Sequence, residues 1–143
     1  MIRFVLDTNT VSELARRRSN PGLEARIGRL RSSCALAAPV VDELQFGVSR
    51  IHSADRRQQY QRWLEVLIAD FPVIPIDVAC AQWHGRERAR LSALGRPPSL
   101  YDGLIASVAV VNELTLVTHN TADFARFTGI RLEDWMTPLP HLG

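Results

Sequence analysis

The stretch that most narrows what this chain can fold into is Met1-Ile-Arg-Phe-Val-Leu-Asp7-Thr8-Asn9-Thr10. An apolar run stops on a carboxylate, and a hydroxyl, an amide and a second hydroxyl follow before apolar periodicity resumes at Val11. Such a run reads as a buried strand and the periodic segment as a helix. Thr10 and Glu13 have capping-box spacing, which predicts a helix from Val11 and leaves Asp7 at the carboxyl end of the strand. Ligands of open α/β sheets bind at that end. An acid fixed there suits metal or phosphate chemistry, and a loop carboxylate satisfying nearby amides is the competing explanation.

The same alternation recurs along the chain. Short apolar segments at 35–39, 71–76 and 114–118 read as further strands, and Ile130, Leu132 and Trp135 can supply a last one before Pro138 and Pro140 end regular structure. Helical patterns lie between them. Residues 11–17 read as a short helix running into Arg16-Arg17-Arg18, and Asn20-Pro21 offers a cap and first-turn proline. Val40, Leu44 and Gly47 share one face and place Glu43 in a first turn. Ser53 and Asp55 open a longer helix striped by Tyr60, Trp63, Leu64, Leu67 and Ile68. Asp77 caps a helix with Cys80, Trp83 and Leu91 inward. Ser99 and Asp102 have capping-box spacing before an almost wholly apolar helix, expected to be central and closed by a left-handed Asn112. Strands alternating with helices predict a parallel sheet covered on both faces, a three-layer α/β fold. With no repeat and no linker, residues 1–143 read as one domain.

The composition excludes several chemistries. All 17 basic residues are arginine, so any mechanism that needs lysine is ruled out, including P-loop nucleotide binding and Schiff-base formation. The net charge of +2 permits a polyanionic partner without requiring one. Cys34 and Cys80 sit in apolar settings without metal-ligand spacing and read as buried free thiols of a reducing cytoplasm. His52, His84, His119 and His141 make no ligand pattern, and His84 reads as a helix-surface residue. No apolar run is long enough to span a bilayer, and the chain enters its first strand without a signal-peptide pattern.

What remains is acidic. Asp7, Glu43, Asp102 and Asp123 each fall just past a strand or in the first turn of a helix, and a parallel sheet puts all such positions on one edge. Each acid alone has a structural explanation, since capping-box and first-turn acids favour a helix start. Gathered together they repel unless a cation holds them. Mg²⁺ or Mn²⁺, which prefer hard oxygen ligands and retain waters, are the natural solution, and such a site can activate water against a phosphodiester.

Leu-Asp7-Thr-Asn-Thr-Val-Ser-Glu-Leu, Val-Val-Asp-Glu43-Leu-Gln-Phe-Gly, Tyr-Asp102-Gly-Leu-Ile-Ala and Leu-Val-Thr-His-Asn120-Thr-Ala-Asp123-Phe, in this order, resemble the PIN domain, specifically the VapC-type ribonuclease toxins of toxin–antitoxin pairs. The resemblance implies a parallel five-stranded sheet and a Mg²⁺-dependent endoribonuclease, dimeric, and silenced by an antitoxin segment in the acidic groove. It makes Asp7, Glu43, Asp102 and Asp123 the acidic quartet, with Asp7 and Asp102 as metal ligands and Thr8 and Asn120 in support. Three positions depart from the family pattern: His119 where arginine is common, Gly103 where alanine is usual, and Glu113 in place of a glycine. Arg96, on the Gly95-Arg-Pro-Pro-Ser99 loop, is the arginine best placed to reach an RNA phosphate. The Tyr60 to Ile68 stripe serves either the core or a dimer surface.

Two other functions compete. Asp7-Thr8-Asn9-Thr10-Val11 resembles the nucleophile motif of haloacid-dehalogenase-type phosphohydrolases, but Asn9 stands where that class needs an acid, and its lysine is missing. A catalytically silent domain that docks a partner through its acidic pocket is the third reading.

Overall fold

The computed structural model describes residues 1–136; Pro138, Pro140 and His141 lie outside them. Five strands form one all-parallel sheet: β1 (Phe4–Leu6), β2 (Cys34–Ala37), β3 (Val73–Ile74), β4 (Thr115–Val117) and β5 (Leu132–Glu133). Their order across the sheet is β3-β2-β1-β4-β5. The chain builds outward from β1 on one side, then crosses to the other to lay down β4, which makes the carboxyl ends of β1 and β4 the switch point of the topology. Register sets those ends level, because Leu6 lies opposite both Leu36 and Val117.

Every residue of β1 and β2 is buried, as expected for strands covered by helices on both faces. The helices are α1 (Thr8–Leu14), α2 (Pro21–Leu30), α3 (Ala38–Ser49), α4 (Ala54–Asp70), α5 (Val78–Ala93), α6 (Leu100–Val111) and the single-turn α7 (Thr121–Phe124). Caps begin most of them as the sequence predicts: the side chains of Asn20, Ser53, Asp77 and Ser99 accept from the backbone amides of Leu23, Arg56, Cys80 and Asp102. α6 is the central helix, with Gly103 and Ile105 through Ala109 all buried. Beyond the sheet, Trp135 is buried edge-on against Phe4, its ring centroid 4.9 Å away. Among the described residues no helix is long and apolar enough to cross a membrane.

Several expectations need correction. α1 starts at Thr8 with Asp7 as its cap, and Glu13 turns away to accept the Asn20 amide and pair with Arg16. α3 starts at Ala38, so Glu43 stands in its second turn; Pro39 fits a first turn, where its missing N–H costs nothing, and so belongs to the helix and not to the strand. The 71–76 strand shrinks to Val73 and Ile74 between two prolines. Glu113, not Asn112, takes the left-handed conformation, at φ 57°, while the Asn112 side chain donates to the Val108 carbonyl. Leu64 and Leu67 of the α4 stripe are in the core and Ile68 is exposed. His84 is buried and not on the surface.

Cys34 and Cys80 are buried free thiols, and burial pushes the Cys34 thiol up to about 11. Glu87 is the most heavily used buried acid. Its carboxylate accepts two bonds from Arg90 at 2.9 Å and two from Thr128, the backbone amide at 2.7 Å and the hydroxyl at 3.2 Å. These bonds, led by the Arg90 guanidinium, hold its carboxyl down at about 2. A depressed acid stabilises the fold above its unfolded value, and that contribution disappears as pH falls from roughly 4.5 towards 2. Glu87→Gln should therefore cost about 1–3 kcal/mol at neutral pH in chemical denaturation, and the gap from the parent should close in acid.

Candidate active site

At the switch point, Asp7, Thr8, Asn9, Glu43, Asp102, Ile105, Asn120 and Phe124 line a small cavity of about 60 Å³. The elements that bring them there are the end of β1, the start of α1, the second turn of α3, the first turn of α6 and the segment after β4. Asp7 is almost fully buried, at 3% exposure. Its Oδ1 accepts from the Thr10 amide at 2.8 Å and its Oδ2 from the Thr118 hydroxyl at 2.5 Å. The Asp7 backbone amide donates to the Val117 carbonyl at 3.1 Å. Its carboxylate is thus held in one orientation, with further oxygen lone pairs still available to a ligand.

Glu43 is half-buried and accepts from the Thr8 hydroxyl at 2.6 Å, which couples α3 to the residue after Asp7. Asp102 is also half-buried. Burial raises its carboxyl above the usual range; the Ser99 hydroxyl and Arg126 oppose the rise, and the charges of Asp123 and Asp7 add to it. These are the signs of acids crowded without enough positive charge. Asp123 is exposed, so it stands at the rim and acts on the centre through its field. Neighbouring Asp42 accepts from the Tyr101 hydroxyl at 2.9 Å, a tie between α3 and α6 beside the acids.

The sequence-predicted residues therefore divide. Asp7, Thr8, Glu43, Asp102 and Asn120 share the cavity, and Asp123 borders it. Arg96 is exposed on its loop, where its carbonyl accepts from Arg126 at 3.2 Å; Arg126 also donates to the Asp123 carbonyl, so loop and rim are joined. His119 pairs with Asp134 at 2.9 Å beyond β5 and takes no part in the cavity. Thr118 escaped sequence reasoning altogether, although it is what holds Asp7. Its signal was there, a hydroxyl closing β4 as Asp7 closes β1, but only the level register of the two strands makes that meaningful. Arg126 was missed as well, being one of many arginines.

The donors facing the cavity are all oxygen, the chemistry of a hard divalent cation. Among the described residues no group of three His, Cys, Asp or Glu side chains is arranged to hold an ion unaided. One or two carboxylates with several waters are what Mg²⁺ ordinarily takes, so Asp7 and Asp102 fit such an ion.

Comparison with known proteins identifies the class. The model of the PIN domain family matches residues 4–130. The chain is 30% identical to a tRNA(fMet)-specific endonuclease VapC of Salmonella typhimurium, over 94% of this chain and 99% of that one. It is 32% identical to ribonuclease VapC2 of Rickettsia felis over 73% and 75% of the two chains. The crystal structure of DNA-bound VapBC from Salmonella typhimurium superposes with a TM-score of 0.85 at 29% identity, covering 94% of this chain and 99% of that chain. The chain belongs to the PIN domain family, and its resemblance to the VapC type is met by these relatives.

Thr118→Val should leave Asp7 short of one buried partner and cost about 1–3 kcal/mol in chemical denaturation. Thr118→Ser, which keeps the hydroxyl, should lie close to the parent.

Proposed function

We propose that this chain is a VapC-type ribonuclease, the toxin of a toxin–antitoxin pair, and that it cleaves RNA endonucleolytically with Mg²⁺ or Mn²⁺ at an acidic site of Asp7, Glu43, Asp102 and Asp123. The observation that carries the reading is the gathering of three of these acids on one cavity at the switch point, with the Asp102 carboxyl pushed up by burial and by its acidic neighbours. The naming of its relatives as ribonucleases and endonucleases supports the choice of substrate.

Asp7 and Asp102 are the metal ligands in this reading. The bound ion would polarise a phosphodiester oxygen and offset the negative charge that develops there. Thr10 and Thr118 keep the Asp7 carboxylate aimed into the cavity. Thr8 does the same for Glu43, whose carboxylate can orient an attacking water. Asn120 offers an amide to the substrate backbone at the cavity wall, and Arg96 a guanidinium on the loop tied to the rim. None of this needs the lysine that the chain lacks.

The antitoxin partner follows from relatives solved as VapBC complexes. A larger, mainly apolar cleft of about 260 Å³, with Leu44, Val48, Tyr60 and Trp63 in its wall, shares Thr8 and Glu43 with the acidic cavity. A partner segment laid along it would end at the acids and exclude RNA. Homodimerisation belongs to the same reading.

The test is cleavage of total RNA and of initiator tRNA by partner-free protein, with Mg²⁺, with Mn²⁺ and with chelator. Asp7→Asn and Asp102→Asn should each reduce cleavage by roughly 10²-fold or more while leaving the protein folded by circular dichroism. Full cleavage by either variant would refute the site assignment. Metal-independent inactivity of the parent would favour the silent docking domain.

A further inference from the structure

Two local penalties meet beside Asp102. The first is Gly103, a glycine inside a helix, where it carries an entropic cost relative to alanine. It is also buried. The second is His84 on α5, which is 5% exposed and whose Nε2 is a buried polar atom without a hydrogen-bond partner among the described residues. Burial, reinforced by Arg88, lowers the pKa of its ring and so disfavours the charged imidazolium. Such atoms are uncommon in folded proteins and call for a specific explanation.

The two penalties are one contact. A β-carbon added at Gly103 would collide with Nε2 of His84 and lie 2.5 Å from its Cδ2. The ring fills the space that any other residue at 103 would occupy. It is therefore seated on the backbone of α6 one residue after Asp102, in the first turn. That turn is otherwise held by Ser99, which accepts the Asp102 amide on its hydroxyl at 3.2 Å and the Gly103 amide on its carbonyl at 3.1 Å. Ser99 is exposed and fixes the turn from its solvent end, whereas His84 fixes it from the buried side. A core chosen for stability alone would place an apolar ring on α5 and alanine on α6. Local rules broken together at one point are expected where function sets the geometry.

We infer that His84 is a positioning residue: its ring, seated against Gly103, sets how closely α5 and α6 approach and so holds the Asp102 carboxylate at the acidic site. The inference rests on the ribonuclease reading, in which Asp102 is a metal ligand. It also accounts for glycine where the family usually has alanine, because the larger residue and the histidine ring cannot occupy the same space.

The experiment compares Gly103→Ala, His84→Ala and the double variant with the parent by turnover and KM on RNA, by Mn²⁺ affinity from electron paramagnetic resonance, and by thermal unfolding. Gly103→Ala forces the ring off its seat. It should lower kcat by roughly tenfold or more with KM within about twofold, and weaken Mn²⁺ by about fivefold, since misplacing a catalytic group by an ångström can cost as much as 10²-fold. In the double variant the methyl enters the vacated space, and both values should return to within roughly threefold of the parent, a non-additivity expected only of residues in contact. Parental kcat and Mn²⁺ affinity in Gly103→Ala would overturn the inference, as would a double variant no better than Gly103→Ala. Should Gly103→Ala fail to fold, His84→Ala decides: weakened Mn²⁺ binding supports positioning, and parental values overturn it. A parent that neither cleaves RNA nor binds Mn²⁺ would overturn the ribonuclease reading and this one with it. An active parent with indifferent variants would overturn positioning alone.

Discussion

The buried carboxylate of Asp7 is the interaction on which the rest of the structure depends. It stands one residue past the central strand and caps α1 through the Thr10 amide. Through the Thr118 hydroxyl it also reaches a residue 111 positions away, at the end of β4. A carboxyl group at 3% exposure needs hydrogen-bond partners inside the protein, because burying a polar group without them is costly. The demand works in both directions. Asp7 needs β4 level with β1 so that Thr118 can reach it, and the level strands in turn create the switch point at which the cavity opens.

Around that fixed point stand the other acids. Glu43 is tied by Thr8, while Asp102 sits where burial and its neighbours oppose ionisation. The cluster is a repulsive arrangement kept in place by covalent and helical geometry, which is the condition a cation relieves. The rim is organised from α5 outward. Glu87 holds Thr128, Arg90 donates to the Arg126 carbonyl, and Arg126 reaches the carbonyls of Asp123 and Arg96. Since Arg90 and Arg126 already serve carbonyls or a carboxylate, the basic residues near the site are partly scaffold, and their number alone overstates what they offer to RNA.

Much of this was legible in the chain. Alternation of apolar runs with capped helices implied a parallel sheet, and the acids at strand ends implied one active edge, because in a parallel sheet all such ends face the same way. Helix starts were legible wherever Ser, Asn or Asp caps its own amides, since that chemistry spans only three residues. It misled at Thr10, where two residues could cap and Asp7 prevailed: its carboxylate gains a second partner from Thr118 after β4 that no local spacing records. The same holds for His84, polar by composition and buried by the approach of α6, and for Glu113, which took the left-handed position assigned to Asn112.

The sequence by itself determined the class of fold, the order of its elements, which acids are candidates for the site and the exclusion of lysine chemistry, because periodicity, capping and composition are properties of neighbouring residues. Only the tertiary structure decided that Thr118 is the keeper of Asp7, that Asp123 stands at the rim and that His84 rests on Gly103. Those relations join residues 19 to 111 positions apart in the chain, or depend on how far a side chain lies from solvent. Register and helix packing set them, and neither is a property of any short stretch of chain.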